Sequence, residues 1–177
     1  PTVAFQSGGV NVAGAVTVAA GDDDDATTWT AIYDVADADT NGAVTISITA
    51  TDLAGNAAAA AHTTISGGSV TVDKTAPAVQ GLTHPDNPTN SPSVIFTSSK
   101  AASYKIMNGD TEVVGSTDIA ASTATTVNFP NDFAEGAYTG MTINLTDAAG
   151  NTGSATINNC TVDKTAPSIG NNFAIAS

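Results

Sequence analysis

The chain has 177 residues, 17 acidic side chains against 4 basic ones, and a net charge of −13. All four basic residues are lysine, 15 of the acids are aspartate, and there is one cysteine, which excludes an internal disulfide framework. Such a balance argues against nucleic acid and anionic lipid as partners, since both need clustered Lys or Arg, and no apolar run approaches the roughly 20 residues of a membrane span, so direct membrane insertion is not expected.

Taken in chain order, residues 1–26 carry little pattern beyond Asp22-Asp23-Asp24-Asp25. Four adjacent like charges demand solvent or cations, and they cannot all share one ion because neighbours on a strand point to opposite faces. A solvated loop is the expectation. Trp29, Ala31, Tyr33 and Val35 then alternate with polar residues, as a half-buried strand does. Asp37-Ala38-Asp39-Thr40-Asn41-Gly42 follows the first half of an EF-hand loop. The position that should hold a bidentate glutamate is Ile48, so an acidic turn is expected, with Asp37, Asp39 and Asn41 as candidate cation ligands. Val44, Ile46, Ile48 and Ala50 alternate with Thr and Ser into Asp52-Leu53-Ala54-Gly55-Asn56, a turn sequence. Ala57–Ala61 is the only helix-compatible run and reads as a loop.

The second half repeats this grammar. Val94 with Phe96, Tyr104 with Ile106, and Val127 with Phe129 mark strands, and Asn108-Gly109-Asp110 marks a turn. Thr139, Met141, Ile143 and Leu145 form the counterpart of the Val44–Ala50 strand and run into Asp147-Ala148-Ala149-Gly150-Asn151, 95 residues after the first copy. Val72-Asp73-Lys74-Thr75-Ala76-Pro77 recurs identically as Val162-Asp163-Lys164-Thr165-Ala166-Pro167, 90 residues later. Two motifs in one order at nearly one offset define tandem domains of about 90 residues. The expected organisation is a domain over 1–74, a complete one over 75–164, and the first strand of a further one over 165–177. The first is short by about two strands, so Pro1 reads as lying partway through a domain, unless another chain completes it by β-augmentation.

Many short strands at 8–12-residue spacing predict an all-β fold of tandem immunoglobulin-like β-sandwiches. Cys160 fits a small buried hydrophobe, Tyr138 a tyrosine corner, and His62 and His84 lack the partners of a zinc site.

The D-x-A-G-N and V-D-K-T-A-P motifs, each present twice, resemble the bacterial Ig-like repeats of large microbial surface proteins. The likeness spans about Thr27 to Asp73 and most of the second unit. It implies extracellular display at the cell surface, a structural role in a surface layer, adhesin stalk or filament, and often Ca²⁺ at domain junctions. The partners implied are neighbouring Ig-like domains or further copies of the chain.

The acidic positions admit two chemistries. Asp52 and Asp147 either accept backbone N–H bonds within their turns, or join Asp73 and Asp163 to ligate Ca²⁺, with Asp86 and Asn87 as further donors. Asn144-Leu145-Thr146 and Asn159-Cys160-Thr161 are sequons, which makes Asn144 and Asn159 candidate glycan acceptors. Glycan binding by the protein would call for exposed aromatics, and the chain has one Trp and three Tyr. No Ser-His-Asp set or metal-ligand His cluster supports an enzyme. A filament built by strand complementation between chains is the principal alternative to a stalk.

Overall fold

The computed structural model describes residues 1–21, 28–64, 66–168 and 170. The Asp22–Asp25 run, and all but Thr165–Ser168 and Gly170 of the expected terminal strand, lie outside them. Those five residues carry no strand. The described chain is all β, in antiparallel sheets and without a helix; Ala57–Ala61 is irregular. It divides into two compact units between Thr75 and Ala76.

Among its described residues the second unit holds nine strands: β7 (Val79–Thr83), β8 (Ser93–Ser98), β9 (Ala102–Asn108), β10 (Thr111–Ile119), β11 (Thr125–Asn128), β12 (Gly136–Tyr138), β13 (Met141–Thr146), β14 (Thr152–Thr156) and β15 (Cys160–Val162). One sheet runs β10-β9-β13-β14 and another β11-β8-β7, an arrangement consistent with a β-sandwich. Gly136 faces Val162, Tyr138 faces Cys160, Thr142 faces Thr156 and Thr146 faces Thr152, all in one register. The strands β12–β13 and β14–β15 are therefore two halves of a single long hairpin, closed by the turn at Asp147–Asn151.

Period-two patterning explains the core. On β13, Met141, Ile143 and Leu145 are buried while Thr142, Asn144 and Thr146 are partly exposed. Val94 and Phe96 of β8, Tyr104 and Ile106 of β9, and Val127 on β11 close over them, with Phe96 and Tyr104 meeting edge to face at 5.5 Å. Cys160 is buried in the same cluster, and burial pushes its thiol pKa up. The Tyr138 hydroxyl donates to Ala134 O at 2.9 Å, the corner contact expected of it.

Among its described residues the first unit holds six strands: β1 (Thr2–Ser7), β2 (Val10–Asn11), β3 (Val16–Ala20), β4 (Trp29–Tyr33), β5 (Gly42–Thr49) and β6 (Thr71–Val72). Its sheets are β2-β1-β5-β6 and β3-β4. The hairpin from β5 is the counterpart of the long one in the second unit, with Gly42 facing Val72. Its register slips by six residues on the way to the turn, where Thr51 faces Ala57. The returning segment is about five residues longer than its counterpart, as the two motif offsets of 95 and 90 residues require. No described strand of this unit stands where β7 and β8 stand in the other.

Candidate functional site: acidic turns and lysine clasps

The acidic positions fall into three settings, each fixed by local hydrogen bonding. The first is the hairpin turn. The Asp52 carboxylate accepts the Asn56 N–H at 2.8 Å and the Asn56 side-chain amide at 2.8 Å. Asp147 likewise accepts Ala149 N–H at 3.0 Å and Asn151 N–H at 2.9 Å, with the Asn151 amide at 3.1 Å. Gly55 and Gly150 supply φ of +90° and +86°, which a side chain would resist. The two turns are built alike but stand in different environments. Asp52 is exposed, whereas Asp147 is buried and receives Lys100 Nζ at 2.7 Å. The Lys100 hydrogen bond, aided by Asn151, holds the Asp147 pKa down at about 2. The Asn56 amide lowers that of Asp52.

The second setting is the loop before the hairpin. Asp39 is buried and accepts Tyr33 Oη at 2.6 Å, Ala36 N–H at 2.6 Å and Ala13 N–H at 2.5 Å. These donors, the Tyr33 hydroxyl first, lower its pKa to about 2. Burial, then the bond to Asp39, pushes the Tyr33 phenol up to about 12. Asn41 grips the chain returning from β6, its Oδ1 accepting Lys74 N–H at 3.0 Å and its Nδ2 donating to Thr75 Oγ1 at 2.6 Å. Lys74 Nζ then donates to the Asp37 carbonyl at 2.6 Å and to Ala36 O at 3.4 Å. In this EF-hand-like loop the main-chain oxygens receive a lysine ammonium.

The third setting repeats the second around the other V-D-K-T. Lys164 Nζ donates to Asn131 O at 2.7 Å and Phe133 O at 2.6 Å. Glu135 takes the place of Asn41. It accepts the Lys164 N–H and, at 2.9 Å, the Thr165 hydroxyl, and the Lys164 N–H leads the interactions that lower its pKa. Asp73 and Asp163 perform one further matching task, accepting Thr75 N–H at 3.0 Å and Thr165 N–H at 2.9 Å. Each unit thus ends in a clasp that fastens V-D-K-T to the loop opening its own hairpin.

Within each unit this geometry keeps the turn aspartate apart from the linker aspartate. Asp147 closes the hairpin of the second unit while Asp163 follows the strand at its open end, so the length of the hairpin, roughly 40 Å, separates them. Asp52 and Asp73 stand at opposite ends of the corresponding hairpin. Among the described residues no group of three or more His, Cys, Asp or Glu side chains is placed to hold a metal. Asp86 and Asp163 do come together, lining an open cleft of about 410 Å³ with Pro88, Thr89 and Asn90. Asn87 beside it instead accepts Thr161 N–H at 2.9 Å. Asn159 is exposed and Asn144 half-buried, the latter in a shallow groove with Lys105, Thr146 and Ser154. His84 accepts Asn158 N–H at 3.0 Å.

Sequence reading passed over Lys74, Lys164, Lys100 and Glu135. Two of the four lysines lie inside identical repeats, and that was the available signal. Lys100 and Glu135 have none, since their partners are 47 and 29 residues away in sequence.

No protein-family model matches the chain, and no curated protein does.

Proposed function

We propose that the chain is a structural, non-enzymatic module of a microbial surface protein, made of tandem Ig-like sandwiches that act as part of an extracellular stalk or array. One observation carries the reading: repeat-related residues build the same turn and the same lysine clasp in both units. A module selected for array building needs its linker-proximal residues held the same way in every copy, and the clasp does that locally. The order of strands in the second unit supports the Ig-like assignment. It matches the A-B-E and G-F-C-C′ sheets of that fold, and the Tyr138 bond to Ala134 adds its corner.

Calcium enters this proposal at the Asp86–Asp163 cleft, where two carboxylates and Asn90 face one open space. Binding there would relieve repulsion in a chain of net charge −13. Display is tested by labelling intact source cells with antibodies to the chain: labelling that surface protease removes supports it, and labelling only after lysis overturns it. Calcium is tested separately by thermal unfolding with and without EGTA. A melting temperature that does not move removes the ion and leaves the structural reading in place.

A further inference from the structure

An asparagine followed by glycine carries a side-chain amide open to attack by the next main-chain nitrogen, because glycine places no side chain in the way. The chain has two such pairs, Asn41-Gly42 and Asn108-Gly109. Exposure alone would favour reaction at the first, since Asn41 is exposed and Asn108 half-buried. Hydrogen bonding and packing reverse that order.

Asn41 is held at both ends of its amide. Its Oδ1 accepts Lys74 N–H at 3.0 Å and its Nδ2 donates to Thr75 Oγ1 at 2.6 Å, so the side chain cannot turn toward Gly42 unless the clasp opens. Gly42 faces Val72 in the ladder and packs on Gly8, where an added Cβ would stand 2.7 Å from Gly8 Cα. The peptide linking Asn41 to Gly42 is therefore fixed in place. The second pair is free on both counts. Asn108 and Thr111 face each other and close the β9–β10 hairpin around two exposed loop residues, Gly109 and Asp110. Gly109 has φ of +58°, as the first loop residue of a type II′ turn requires. An added Cβ there would meet nothing within 4 Å. Among the described residues the Asn108 side chain has no hydrogen-bond partner.

We propose that Asn108 is a site of spontaneous deamidation, with water as co-reactant, and that the clasp protects Asn41 from the same reaction. Gly109 N forms a bond to Asn108 Cγ, the Cγ–Nδ2 bond breaks, and the amide leaves as ammonia with the proton given up by Gly109 N–H. Water then opens the cyclic imide. Attack at Cγ leaves aspartate at 108; attack at the main-chain carbonyl carbon leaves isoaspartate, with the side-chain carbon drawn into the backbone. The hairpin tip already carries Asp110 and Glu112, so the new carboxylate adds like charge there. Isoaspartate also lengthens the chain at a residue paired with both Thr111 and Met141, where β10 forms the edge of its sheet. The product loosens β10 from the tip and marks the age of each copy. The reaction is independent of calcium and of where the protein is displayed.

The test incubates the full folded chain in warm, mildly alkaline buffer made with heavy-oxygen water, beside a sample kept in denaturant. Peptide mass spectrometry locates the label, and an isoaspartyl methyltransferase with a labelled methyl donor reads isoaspartate. In the folded chain the label should accumulate at Asn108 while Asn41 keeps its amide; in denaturant the two pairs should react at similar rates. Asn108→Ser should lose most of the methyl acceptance of the folded chain. If Asn108 keeps its amide in the folded chain while losing it in denaturant, the proposal is overturned. Labelling of Asn41 as fast as Asn108 in the folded chain overturns protection by the clasp. Methyl acceptance undiminished in Asn108→Ser places the reaction at another residue and overturns the assignment.

Discussion

The two units share a hairpin, a turn and a clasp, yet they differ sharply in burial. The second unit seals Phe96, Ile106, Met141, Ile143, Leu145 and Ile157 from solvent, while Val72 is the one buried hydrophobic side chain of the first among the described residues. The first instead exposes Val10, Trp29, Ile32, Val35 and Val70. Alternation of apolar and polar residues is present in both, so patterning does not make the difference. Among the described residues, what differs is the presence of β7 and β8 in the second unit. A sheet face becomes a core only when a second face is laid on it. The repeated hydrogen-bonded devices at the ends of the hairpin form whether or not that happens.

Replacing one inward-facing residue in each unit should expose this contrast most strongly. Ile143→Ala removes a sealed side chain and should cost about 3–4 kcal/mol in denaturant unfolding. Ile46→Ala lies in the matching strand of the first unit on an uncovered face, and should cost about 1–2 kcal/mol, since less area is lost from burial and the neighbours can relax. Equal costs would mean that the first unit is covered in solution.

The acids come next. Asp147 loses its Lys100 partner in the Lys100→Met variant, leaving a buried carboxylate with turn donors alone, whereas the exposed Asp52 is held by its turn donors from the outset. Lys100→Met and Asp147→Asn should each lower the melting temperature of the second unit clearly more than Asp52→Asn lowers that of the first. The pH dependence has two arms. Asp39 and Asp147 both have folded pKa values of about 2, below the ordinary value near 4. Their stabilisation is complete above the ordinary value and is lost as pH falls from there through about 2, in both units. Tyr33 at about 12 adds an alkaline arm to the first unit. Its neutral form is favoured on folding, so that stability holds below pH 10 and falls as pH rises toward about 12. Thermal melts across pH, with Tyr33→Phe removing the alkaline arm, check the assignment.

Much of this was legible beforehand where it depended on local pattern. The strands at Val44–Ala50 and Met141–Leu145, the turns at Gly55 and Gly150, and the burial of Cys160 follow from period two, from glycine at a turn and from the position of the cysteine. The hidden part depended on register. Nothing local says that Asp147 and Asp163 stand at opposite ends of one hairpin, because that follows from which residue faces Gly136. The half EF-hand at Asp37–Gly42 suggested a cation and the loop receives one, but it is the ammonium of Lys74, supplied from 37 residues away.

The clasps supply a smaller effect that should be alike in the two units. Lys74→Ala and Lys164→Ala each remove a charged donor from two exposed carbonyls and should cost about 1–2 kcal/mol, reduced by salt. Glutamine at either position keeps a donor and should recover part of the loss. A cost confined to one unit would show that the shared geometry is not shared energetics.

The smallest expected difference is at the turn glycines. At Gly55 and Gly150 an added Cβ would meet nothing within 4 Å, so no packing term enters and only the backbone penalty of a positive φ remains. Gly→Ala should therefore cost about 1 kcal/mol at either site, and nearly the same at both. The controlling variable is φ, which differs by only a few degrees between them, not the density of the core below. If Gly150→Ala proved several times more costly than Gly55→Ala, the strain would be reaching Asp147 and its bond to Lys100. The turn of the second unit would then be part of its core rather than a device both units carry.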